Sequence, residues 1–243
     1  MINASRRDSR AAKSIGLGAD RLKRFGLRPL VLVCWALLPP NSAFTQQLTV
    51  NNNQTVTAQT GASTTWSAIV VGQTSGTVGG VPGGTYIVPT GASVGLSGPN
   101  FLIGQQSGSS GLVVVNGGSL TALPGSSSEF HIGFNGAGEF VVSNGGTVSS
   151  AFLTFVGTNP GSSGVLTVEG QGSTYTNNGS MMIVGNSGTG QLNVLDGGAV
   201  STTAATLQIG GSNTGTALVS GSNSRLPPGQ HSALVSPPEA WAI

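Results

Sequence analysis

Two residues after each of five glycines stands a residue of buriable type, and four residues after stands valine. Gly111, Gly138, Gly164, Gly190 and Gly215 open the pattern. Val113, Phe140, Leu166, Leu192 and Ala217 take the second place, and Val115, Val142, Val168, Val194 and Val219 the fourth. The places between are mixed: Leu112, Glu139, Val165, Gln191 and Thr216. Alternation with period two predicts a short strand with one buried face in every copy. Subtracting the residue numbers of successive opening glycines gives spacings of 27, 26, 26 and 25. Each opening glycine follows a short apolar run closed by glycine: Ile103-Gly104, Ile132-Gly133, Val156-Gly157, Val184-Gly185 and Ile209-Gly210. After the strand comes Gly117-Gly118, Gly145-Gly146 or Gly197-Gly198, or a Gly-Ser variant at Gly170–Ser173 and Gly221–Ser224.

A fixed period of this length built from strand-type residues means a solenoid, a propeller or an array. Each unit reads as two or three strands of four or five residues, joined by Gly, Ser, Asn and Thr corners suited to positive φ. Blade signatures and helical windows are missing. The expected fold is therefore all-β: a parallel β-helix (β-solenoid) of about 26-residue coils, preceded by a signal peptide. A lone coil cannot offset the entropy of ordering its backbone, so coils must stack and complete each other's ladders and core.

Four segments follow. Residues 1–43 read as a signal peptide with a long basic n-region, since Arg6 to Arg28 precede the apolar run Leu30–Leu38 and the breaker Pro39-Pro40. That run is too short to span a bilayer, which needs about 20 residues. Residues 44–100 read as an irregular N-terminal cap and degenerate coils, in which Gly61–Trp66 and Ile69–Gly72 mirror Gly172–Tyr175 and Met182–Gly185. Residues 101–226 are the β-solenoid repeats. Residues 227–243 form a proline-containing tail, expected to be disordered and to leave an open edge on the last coil, as in a truncated product.

Charge changes the picture once the leader is set aside. Of nine Lys and Arg residues only Arg225 lies beyond residue 43, against Glu129, Glu139, Glu169, Asp196 and Glu239. A weakly acidic chain lacks the basic stripe that nucleic acid requires. The only cysteine, Cys34, sits in the leader, which leaves neither a disulfide framework nor thiolate chemistry.

Parallel β-helices also carry polysaccharide-cleaving enzymes, which need clustered carboxylates and often a basic partner. Glu139 and Glu169 fall one and five residues after their opening glycines, so they do not stack as a pair. Asp196 precedes Gly197-Gly198 and reads as a turn former. His131 is expected to face outward beside the buried Ile132, and His231 lies in the tail. Tyr175 and Trp66 appear at equivalent places and read as corner packing, with carbohydrate stacking as the alternative. No catalytic, cofactor-binding or metal-ligating residue is assigned, and no cofactor is expected.

The alternation of Gly164–Tyr175 with Gly190–Val200 and Leu207–Gly210 resembles the repeat shared by autotransporter (type V secretion) passengers and PEP-CTERM-associated exported proteins. The resemblance covers about residues 61–226 and is most specific from 101 to 221. It implies an exported, non-enzymatic, structural or adhesin-like surface protein, with a carbohydrate-active β-helix enzyme as the alternative. It further implies export through the inner membrane to the cell surface, outer membrane or extracellular space, or to the periplasm where the barrel is missing. Implied partners are cell-surface glycans, neighbouring passengers and a separate or missing outer-membrane β-barrel. The repeat carries no catalytic residues, and this chain shows no barrel and no transmembrane anchor.

Overall fold

The computed structural model describes residues 46–51, 54–73, 83–123, 129–203, 206–226 and 231–233. The leader expected at 1–43 lies outside them. In chain order the strands are β1 (Gln47–Val50), β2 (Gln54–Thr57), β3 (Ser63–Val71), β4 (Gly84–Pro89), β5 (Ser93–Ile103) and β6 (Ser110–Asn116). Then come β7 (Ser119–Ala122), β8 (Glu129–Ile132), β9 (Ala137–Ser143), β10 (Thr147–Ser150), β11 (Leu153–Val156), β12 (Ser163–Glu169) and β13 (Thr174–Asn177). The last are β14 (Met181–Val184), β15 (Thr189–Leu195), β16 (Ala199–Thr202), β17 (Thr206–Ile209), β18 (Gly215–Ser220) and β19 (His231–Ala233).

The chain is an all-β, parallel β-solenoid. A full coil runs through a first, a second and a third strand, as in β12, β13 and β14. First strands β2, β4, β6, β9, β12, β15 and β18 stack into one seven-stranded sheet. Second and third strands form the twelve-stranded sheet. Below the first full coil, β1 supplies a third strand only, paired with β3. The opening glycines pair in register from Gly111 through Gly138, Gly164 and Gly190 to Gly215, as the spacing predicts. First strands reach seven residues in β6, β9, β12 and β15, longer than expected, because the ladder includes the opening glycine and the residue before it.

Below residue 101 the coils keep the register of the rest: Tyr86 lies opposite Val113 and Val88 opposite Val115. Their irregularity is local. In β3 and β5 one continuous strand serves as both second and third strand, with a bulge between Trp66 and Ala68. At the other end, three residues of the segment read as a disordered tail form β19 and pair with β17. The remainder of 227–243 lies outside the described residues.

Val115, Val142, Val168 and Val194 form one vertical interior file, each 0 % exposed. Beside it run Val113, Phe140, Leu166 and Leu192, also fully buried. The column is not made of aliphatics alone. Phe101 stacks on Phe130 at 3.9 Å between ring centroids, and Phe140 and Tyr175 meet Phe130 edge-on at 5.4 and 6.1 Å. Nor is it apolar throughout. The file Leu96, Ala122, Ser150, Asn177 turns polar as it rises, and Ser150, Thr154 and Asn177 are buried. Thr154 Oγ1 and the Tyr175 hydroxyl lie 3.0 Å apart. Asn177 donates to the Met181 carbonyl at 3.0 Å and accepts from the Gly179 amide at 2.7 Å. Thr154, Tyr175 and Asn177 are thus tied to partners, as burial demands, whereas the buried hydroxyl of Thr202, next in the file after Asn177, has none.

The Ile/Val-Gly marker has a steric cause. Gly157 sits at φ +75°, and a Cβ there would lie 2.2 Å from the Thr189 carbonyl oxygen of the next coil. Gly133 and Gly185 repeat the arrangement against Ser163 and Thr214. Only glycine permits both the left-handed backbone and the close approach.

Candidate functional site: the outer wall of the solenoid

Alternation that sends aliphatics inward sends the intervening residues to the wall. On the second strands this gives two files of small hydroxylated residues. Ser93, Ser119, Thr147 and Thr174 stand in register in one, and Thr121, Ser149, Thr176 and Ser201 in the other. Successive levels are about 4.8 Å apart, the spacing of hydrogen-bonded strands. Ser93 and Ser119 hydroxyls bond at 2.6 Å, and Asn178 donates to Ser149 at 3.0 Å. On the first-strand face, Asn193 donates to Thr167 at 3.3 Å and Gln191 to Asn193 at 3.0 Å. The second-strand face of the wall is thus a repeating display of neutral donors and acceptors.

The corners between first and second strands are where acidic groups gather. Asn144 and Asp196 adopt φ of 53° and 50°, each followed by a glycine at positive φ, Gly145 or Gly197. The Gly146 amide donates to the Ser143 carbonyl and the Gly198 amide to the Leu195 carbonyl, each at 2.9 Å. These are two-residue turns with both central residues left-handed, the conformation Asn-Gly and Asp-Gly favour. Asp196 is therefore a turn former, as read from the sequence. Stacked corners leave a shallow groove of about 220 Å³ lined by Ser143, Asn144, Glu169, Gly170 and Asp196. Glu139 pairs with Val165 and Glu169 with Leu195, so those two carboxylates do not stack. The groove instead brings Glu169 beside Asp196, a meeting the offsets did not indicate. Among the described residues no Arg, Lys, His or Tyr lines it. Among the described residues no three His, Cys, Asp or Glu side chains form a metal-binding group.

His131 departs from expectation. Its place on β8 is the outward one, between Phe130 and Ile132, yet it is only 3 % exposed. Phe155, its register partner on β11, stacks on the imidazole at 5.2 Å and 8°. Phe134 meets the ring edge-on at 4.7 Å. Nε2 lies 2.9 Å from Glu129 Oε2 and Nδ1 lies 3.1 Å from Thr158 Oγ1. With Nε2 protonated, the ring donates to the carboxylate and accepts from the threonine hydroxyl. Burial pushes the imidazole pKa down, and the Glu129 carboxylate opposes that shift. Hydroxyl, imidazole and carboxylate stand in the order of a nucleophile, base and orienting group. Thr158 is 5 % exposed, however, so the hydroxyl is shielded from solvent. Glu129 is two residues from His131, but the Thr158 partner comes from the next coil, and no local motif could have revealed it.

The aromatics also differ from the sequence reading. Tyr175 is wholly buried, in the file Val94, Leu120, Val148, Val200, and burial pushes its hydroxyl pKa up. That file meets Thr64, whereas Trp66 stands level with Leu96, so Tyr175 and Trp66 are not equivalent. Trp66 lies five residues after Gly61 and Tyr175 three after Gly172, and the register follows that count, setting Thr64 in the Tyr175 file.

No protein-family model, curated protein or solved structure matches the chain.

Proposed function

We propose that this chain is an exported, non-enzymatic, passenger-type surface protein whose solenoid wall acts as a stalk or adhesive face. The observation that carries the reading is the register-true stacking of the second strands, whose outward files are neutral serine and threonine hydroxyls. Such a surface suits multivalent hydrogen bonding to glycans, where each contact is weak and repetition supplies avidity. The basic leader and the resemblance to autotransporter and PEP-CTERM-associated repeats support export, with a separate outer-membrane β-barrel as the partner that would carry the chain past the periplasm. Among the described residues no helix is long and apolar enough to cross a membrane.

Expression of the full chain in a Gram-negative host, with fractionation, external protease digestion and glycan-array binding, tests this. The expected result is processed protein outside the inner membrane, and cell or glycan binding that survives alanine at Glu139, Glu169 and Asp196. Polysaccharide cleavage abolished by any of those substitutions would instead establish a carbohydrate-active enzyme.

A further inference from the structure

The two ends of the solenoid are cut from the same lattice at matching phases. The described coils begin with a third strand, β1, followed by the first strand β2. They finish with the first strand β18 and a short third strand, β19. The file that starts at Leu48 rises through Ile69, Phe101, Phe130, Thr154 and Met182 to Leu207. The file from Val50 ends at Ile209 by the same steps. Val56 likewise heads the file that ends at Ala217.

Now place β1 of a second copy where β19 sits, on the edge of β17 that β19 covers. Leu48 then covers Leu207 and Val50 covers Ile209. The next strand of that copy, β2, falls directly on β18, with Val56 over Ala217. No shift of register or phase is needed.

Arg225 pairs with Ala199 at the neighbouring second-strand place, but the four strands that would meet carry no such guard. Strands β1, β2, β17 and β18 contain no charged residue and no proline. Those are the usual guards of an open sheet edge. Among the described residues β18 pairs only with β15, and β2 only with β4. Leu218 and Val219 on β18 are 45 % and 44 % exposed, whereas Val194, one level down from Val219, is fully buried.

We propose that the C-terminal end of the solenoid is a docking edge for the β1–β2 end of a second copy, which displaces β19. The contact continues the coil-to-coil packing from one molecule into the next. It is a head-to-tail interface, so it propagates into filaments instead of closing as a dimer.

Thr57 and Leu218 are both exposed, and Thr57 heads the outward file that ends at Leu218. Across the proposed junction their Cα atoms would be about 4.8 Å apart, within disulfide range. Within one molecule they are six strand steps apart, about 29 Å. The full chain carrying Cys34→Ser, Thr57→Cys and Leu218→Cys is oxidised and run on a non-reducing gel, beside each single-cysteine chain. A ladder of covalent multimers longer than dimers is expected from the double variant only. A double variant giving no species larger than those of the single variants would overturn the proposal. Adding Ser232→Pro, which breaks β19, is expected to raise the multimer yield. An unchanged or lower yield would refute the displacement of β19.

Discussion

Glycines 145 and 157 share the same backbone angle and differ only in what surrounds them, which makes them a clean test of the coil-to-coil packing. Both sit at φ +75°. A Cβ at position 145 would find nothing within 4 Å, whereas at 157 it would lie 2.2 Å from the Thr189 oxygen, 2.5 Å from its carbonyl carbon and 3.0 Å from the Gly190 nitrogen. Gly145→Ala therefore costs only the left-handed conformation, about 1–2 kcal/mol. Gly157→Ala adds a clash with backbone atoms that no side-chain rotation relieves. The coils must part, and the Gly157 amide bond to the Ile132 carbonyl (2.8 Å) and the Gly185 amide bond to the Val156 carbonyl (2.7 Å) weaken with them. At about 1 kcal/mol for each lost bond, the total rises to about 3–4 kcal/mol. Stacked coils need not unfold in one step, so the measure is the urea midpoint for loss of β-sheet circular dichroism, compared at equal protein concentration. A midpoint for Gly157→Ala at or above that of Gly145→Ala would refute the close approach of coils at this corner.

Two further outcomes follow from the buried polar groups. Tyr175→Phe leaves Thr154 Oγ1 without its 3.0 Å partner and is expected to cost about 1–3 kcal/mol, while Tyr175→Phe with Thr154→Val recovers most of that loss in a double-mutant cycle. The imidazole of His131 has a lowered pKa in the folded chain, so below the unfolded value of about 6.5 the unfolded state binds more protons. Stability is then full above about pH 6.5 and falls on acidification toward the folded pKa, with a slope of at most about 1.4 kcal/mol per pH unit. Urea midpoints from pH 8 to 5 should show this slope, and His131→Leu should reduce it.

The sequence alone determined the coil. Period-two alternation is a local property, and its repetition every 26 residues or so can be satisfied only by stacking like on like. Gly111 over Gly138, Val142 over Val168 and the left-handed Asp196 were therefore legible in the string. What lay between levels was not. His131 occupies an outward position by alternation, but Phe155 and Thr158 of the next coil and Phe134 of its own bury it. Glu169 lies in register with Leu195 and so meets the next residue, Asp196, and Tyr175 parts from Trp66 because the register sets Thr64 in its file. Ser150, Thr154 and Asn177 are polar, and register puts them inside. For His131 and Glu169 the physical reason is the same: alternation fixes which face a side chain leaves by, while its partners, Thr158 and Asp196, each lie 27 positions away, where only the stacked register brings them near.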